Sequence, residues 1–173
     1  MKMLKASKTT LGVISAAVLM MGNALAERSE VSGDISSTVT KRTVAMSPHN
    51  TGQSFSITES TGSLKQNSGS NRVLDGAQVT SVGTADVTKG NGVSTSWGAY
   101  TQPGGIAYLR ASSEIKTTSG NDGKPLTTVS GKYEVVGGTG SLASLKGAGE
   151  FTVESTSPTT QTTHYSGWLD QGQ

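Results

Sequence analysis

There is no cysteine among the 173 residues. That absence excludes disulfide frameworks, thiolate metal sites and thiol nucleophiles, and leaves the fold to stand on burial and hydrogen bonds alone. Histidine is almost as rare, with His49 and His164 the whole complement. Neither has a second histidine at ligand spacing, so no metal site is readable. A lone histidine is more often a surface or structural residue than a working one. Large apolar side chains are also few: residues 27–173 hold 7 Leu, 4 Ile, 12 Val and 2 Phe, or 25 of 147. So low a fraction signals a disordered chain only when net charge is high as well. Residues 27–34 and 60–72, polar and poor in apolar side chains, are the stretches expected to be mobile. Serine is abundant, yet no Gly-x-Ser-x-Gly elbow occurs. Gly62-Ser63-Leu64 and Gly140-Ser141-Leu142 both lack the second glycine, and hydrolysis has no positive support.

No apolar run reaches membrane-spanning length. The longest, Leu11 to Met21, is well short of the ~20 residues a spanning helix needs. It follows Lys2, Lys5 and Lys8 and precedes Ala24-Leu25-Ala26, the pattern of a secretory signal cleaved after Ala26 to leave Glu27 first. Residues 1–26 are therefore expected to be removed, and a single domain over 27–173 to work in the periplasm or medium with no membrane span after processing. The full chain carries 14 Lys+Arg against 12 Asp+Glu, whereas residues 27–173 carry 11 against 12, net −1. No basic stripe remains to neutralise phosphates, which speaks against nucleic acid as a partner.

What the chain has in quantity is Thr, Ser, Val and Gly. Thr and Val are stiff at χ1 and suit a pleated surface. Turn signals recur at short intervals, among them Ser47-Pro48-His49-Asn50, Asn91-Gly92, Pro103-Gly104-Gly105 and Ser157-Pro158. Eight strand-length segments lie between them: 35–45, 53–60, 73–83, 93–101, 105–117, 126–136, 147–156 and 162–169. Several alternate, with Tyr133 and Val135 opposing Lys132 and Glu134, and Phe151 and Val153 opposing Glu150, Thr152 and Glu154. Regular turns with short alternating strands indicate an all-β sandwich or barrel, one face buried and one wet.

The most distinctive segment runs from Tyr133 to Phe151. Gly138-x-Gly140-x-x-Ala143 follows an apolar strand, but a dinucleotide fingerprint also needs a long helix and a ribose-binding acid. Two further glycines, Gly147 and Gly149, arrive too soon for that helix. The residues support a bend instead. Gly137, Gly138 and Gly140 let the chain leave one strand, Leu142 and Leu145 plug a barrel end from a single helical turn, and Gly147 and Gly149 re-enter the sheet. The pattern Tyr-x-Val-Val-Gly-Gly-Thr-Gly, followed by Leu-x-Gly-x-Gly-x-Phe, resembles the allene oxide cyclase and dirigent-like barrels. It is most similar to exported bacterial relatives of that barrel, and covers about residues 121–169. The resemblance implies an antiparallel eight-stranded barrel of calycin-like form, a lumen for a small apolar ligand, and often trimers. It assigns no catalytic position and no cofactor.

One strand invites a site. In residues 105–117, Ala107, Leu109, Ala111, Ser113 and Ile115 form the natural core face, and Ile106, Tyr108, Arg110, Ser112 and Glu114 the other. Tyr108, Arg110 and Glu114 are ordinary surface residues or else the lining of a polar pocket. Three roles remain open. The first is a small-ligand or partner-binding barrel; the second an isomerase or cyclase acting by confinement in the lumen; the third a structural or adhesive subunit.

Overall fold

The computed structural model describes residues 28–119 and 125–172. The expected signal segment, with its Ala26–Glu27 cleavage point, lies outside the described residues. The chain forms eight strands: β1 (Ser29–Met46), β2 (Gln53–Ser68), β3 (Gln78–Thr88), β4 (Asn91–Gln102), β5 (Gly105–Ser119), β6 (Pro125–Gly138), β7 (Lys146–Ser155) and β8 (Thr160–Asp170). A single 3-10 turn, Gly140–Leu142, joins β6 to β7. Each strand pairs antiparallel with the next, and β8 returns to β1 from Ser29↔Leu169 to Thr38↔Thr160. The sheet is a closed barrel. Closure leaves no open sheet edge among these strands for an added strand to pair with. Among the described residues no helix is long and apolar enough to cross a membrane.

Three segments differ from the sequence expectation. β1 begins at Ser29 rather than residue 35, because Val31, 3% exposed, turns inward opposite Gly167 of β8. Residues 29–34 are thus strand rather than a mobile lead. β2 runs on to Ser68, since Leu64 and Gln66 alternate into the interior and are buried. β3 starts at Gln78 rather than residue 73. The preceding residues form a turn, which the Arg72 guanidinium fixes by gripping the Asp75 carboxylate at 2.7 Å and the Gln66 carbonyl at 2.7 Å.

That turn gives the barrel a closed end. It drives Leu74 inward, and the 3-10 turn drives in Leu142 and Leu145 from the other side, all three at most 3% exposed. Together with Val31, Leu64, Val79, Leu109 and Leu169 they form one apolar cluster at this end. Six of the seven leucines in residues 27–173 are used there. The other half of the interior is left to small residues interspersed with valines such as Val39, Val87 and Val129.

Candidate functional site: the barrel lumen

Along β2, β3, β4 and β5 the inward positions in the open half are mainly Ser, Thr, Gly and Ala. These side chains cannot meet across an eight-stranded interior, and a cavity of about 550 Å³ remains. Four of its wall hydroxyls pair across neighbouring strands, Ser60 with Ser81 at 2.7 Å and Ser94 with Ser113 at 2.6 Å. Aliphatic side chains such as Val39, Val87 and Val129 alternate with them, giving an apolar wall studded with hydroxyls.

Toward the closed end, Tyr100, Tyr133 and Tyr165 line the same cavity. Tyr133 and Tyr165 meet edge to face, with ring centroids 6.2 Å apart. Each lies against glycine backbone on adjoining strands. The Tyr133 ring covers Gly149 and Gly167, and Tyr165 covers Gly33, where a Cβ would come within 2.7 Å of the Tyr165 ring. The Tyr133 and Tyr165 hydroxyls are buried and have no hydrogen-bond partner among the described residues. A buried hydroxyl without a partner is unusual and costly. Burial pushes the Tyr133 hydroxyl up to about 12, the Glu30 charge adding to the effect, and burial raises Tyr165 as well. Both therefore stay protonated and able to donate.

The residues singled out on β5 fall elsewhere. Ala107, Leu109, Ala111, Ser113 and Ile115 do face inward as expected, so Tyr108, Arg110 and Glu114 stand on the outer wall. Arg110 pairs with Glu134 and lies 5.9 Å from the Trp97 ring centroid, while Glu114 pairs with Lys116 at 2.7 Å. Strand alternation turns their side chains away from the lumen. Gly140 has φ +57, and a Cβ on Gly138 would run into the Leu142 carbonyl. Gly147 and Gly149 lie against the backbone of β8, but Gly137 has open space around it.

Two outer features were not foreseen. His164 Nδ1 sits 2.6 Å from Asp34 Oδ1, and its Nε2 lies 3.7 Å from Glu154. The hydrogen bond to Asp34 raises the imidazole from its ordinary value, and Asn67 and His164 together lower Asp34. This clasp ties β1, β2, β7 and β8 together. The second feature is an exposed apolar area on β2 and β4, where Phe55, Ile57, Val93 and Trp97 are each about half exposed.

Among the described residues, fold and interior together define a closed antiparallel β-barrel with a lumen blocked at one end and open at the other. Among solved structures the chain is similar to a pyocyanin demethylase, with TM-score 0.42 and 17% identity over 80% of this chain and 99% of the other. It is also similar to two pterocarpan synthase dirigent proteins, with TM-scores 0.34 and 0.31 and identities of 14% and 13%. These cover 94% and 83% of this chain and 98% and 95% of theirs. The sequence matches no protein-family model and no curated protein.

Proposed function

We propose that this is an exported barrel that holds a small, largely apolar ligand in its lumen, of the allene oxide cyclase and dirigent-like kind that the Tyr133–Phe151 pattern resembles. One observation carries the reading: among the described residues the barrel holds a cavity of about 550 Å³, open at one end and walled at its inner end by Tyr100, Tyr133 and Tyr165. A volume in this range matches a typical small-molecule site. An apolar wall with scattered hydroxyls favours a ligand with an apolar body. Export follows from the lysine-led apolar start and the small residues up to Ala26.

The test is a titration with N-phenyl-1-naphthylamine, an uncharged aromatic probe that brightens in apolar surroundings. The barrel should bind it saturably at one site. Ser96→Trp, which places an indole across the lumen from β4, should abolish that site, and Ala111→Phe should weaken it. Circular dichroism checks that each variant keeps its strands. Binding that survives both substitutions in folded protein places the probe outside and removes the reading.

A further inference from the structure

The wall of the lumen carries one charged side chain among its described residues, Arg42 of β1. Strict alternation would not put it there. Val39 faces inward, so in a regular strand residue 41 would follow it inward and residue 42 would point to solvent. A β-bulge intervenes: Val39 pairs with Ser60 and Lys41 with Glu59, leaving Thr40 unmatched. The Thr40 hydroxyl donates to the Glu59 carbonyl at 3.2 Å. An extra residue at a bulge reverses the faces beyond it. Lys41, Thr43 and Ala45 therefore go outside, and Arg42 and Val44 come inside, near the open mouth.

The surrounding charges reinforce this. No carboxylate lines the lumen with Arg42 among the described residues. On the neighbouring outer wall Glu59 is held by Lys41 at 3.4 Å, and Asp86 accepts from the Gln53 side-chain amide at 2.9 Å. Among the described residues the mouth thus presents an inward guanidinium above an uncharged interior. A guanidinium offers five N–H donors in a fork that fits carboxylate or sulfonate oxygens, and it stays charged at any working pH.

We infer that Arg42 is a specificity-determining residue that selects organic anions: molecules with an apolar body in the lumen and an acidic group at its mouth. The inference rests on the lumen-binding reading, and a matched pair of probes separates the two. N-phenyl-1-naphthylamine and 1-anilinonaphthalene-8-sulfonate share an aromatic body and differ chiefly by the sulfonate. The wild-type barrel should bind the anion about fivefold more tightly than the neutral probe, the scale of a partly exposed ion pair. The preference should shrink as salt rises toward about 1 M, where the screening length falls to ~3 Å. Arg42→Gln should erase the preference, and Arg42→Lys should retain most of it. If both probes bind in the lumen without preference, or if Arg42→Gln leaves the preference intact, the role of Arg42 is refuted and the lumen reading stands. If neither binds, or binding of both survives Ser96→Trp, the lumen reading fails and this inference falls with it.

Discussion

Leu142 gives the sharpest test of how the barrel is closed. It is 1% exposed, yet it belongs to no strand and sits on one 3-10 turn secured by bonds to Thr139 and Leu145. Its neighbours at the closed end are paired strands that cannot easily collapse into a hole. Truncating a buried leucine to alanine costs ~2–5 kcal/mol, more where the site does not relax. For Leu142→Ala we expect about 3–4 kcal/mol on that scale. In a domain of this size each kcal/mol moves Tm by roughly 2–4 °C, so the melting point should fall by roughly 6–16 °C. Leu126→Ala serves as the control, because Leu126 is 59% exposed on β6. It should change stability by no more than about 0.5 kcal/mol. Denaturant titrations followed by tryptophan fluorescence would report both. A loss below about 1 kcal/mol for Leu142→Ala, with strand content intact, would refute the view that this turn seals the barrel.

Two further outcomes follow from local geometry. His164 has its affinity for protons raised by Asp34, so its contribution to stability is complete below its ordinary value of 6.5 and fades as pH climbs through the raised one. Asp34 is lowered, so its contribution is complete above 3.8 and fades on acidification through the lowered value. The stability gap between wild type and His164→Gln should therefore be widest between those two ordinary values and narrow toward pH 9, as read from denaturation midpoints; a gap that grows with pH contradicts the clasp. Within the glycine run, Gly140→Ala should destabilise by more than about 1 kcal/mol, because φ is +57 and a Cβ would strike the Gly104 carbonyl. Gly137→Ala, in open space, should be neutral or slightly stabilising in the same thermal melt.

The architecture was legible because alternation survives in most strands. Phe151 and Val153 against Glu150 and Glu154, or Leu109 against Arg110, state which face is wet without any knowledge of the partner strand. The bend was legible for a similar reason, since Gly138, Gly140, Leu142 and Leu145 carry a local message that the tertiary structure obeys. The binding site was harder to see. Tyr108, Arg110 and Glu114 drew attention as a concentration of chemistry, but they share the outer face, whereas the lumen is written in residues with little chemistry of their own. Ser60, Ser81, Ser94 and Ser113 look like generic polar filler until closure sets them opposite one another. Arg42 was hidden by a bulge at Thr40, and no turn residue or glycine marks that position. The early start of β1 was missed because Ser29–Asp34 holds one large apolar residue, Val31, whose burial depends on β8 arriving from the far end of the chain.

The thin supply of aliphatic side chains and the open lumen are one fact. With six of the seven leucines in residues 27–173 gathered at the closed end, the other half is walled by valines and by small residues whose hydroxyls include cross-strand pairs, such as Ser60 with Ser81 at 2.7 Å. If those hydroxyls serve a ligand rather than stability, their removal should show a definite asymmetry. Ser60→Val alone leaves the Ser81 hydroxyl short of its partner in a half-buried wall, at a cost of about 1–3 kcal/mol less whatever the new methyls recover. Replacing both removes the polar pair together, and each added buried carbon contributes about 0.8 kcal/mol in strand positions that valine favours. The double variant should thus be at least as stable as wild type and more stable than either single one, a coupling that a double-mutant cycle measures directly. It should also narrow the lumen and weaken binding of N-phenyl-1-naphthylamine. A double variant less stable than both singles would mean that the serine pairs hold the barrel together, and the cavity would then be a by-product of the fold rather than the reason for its composition.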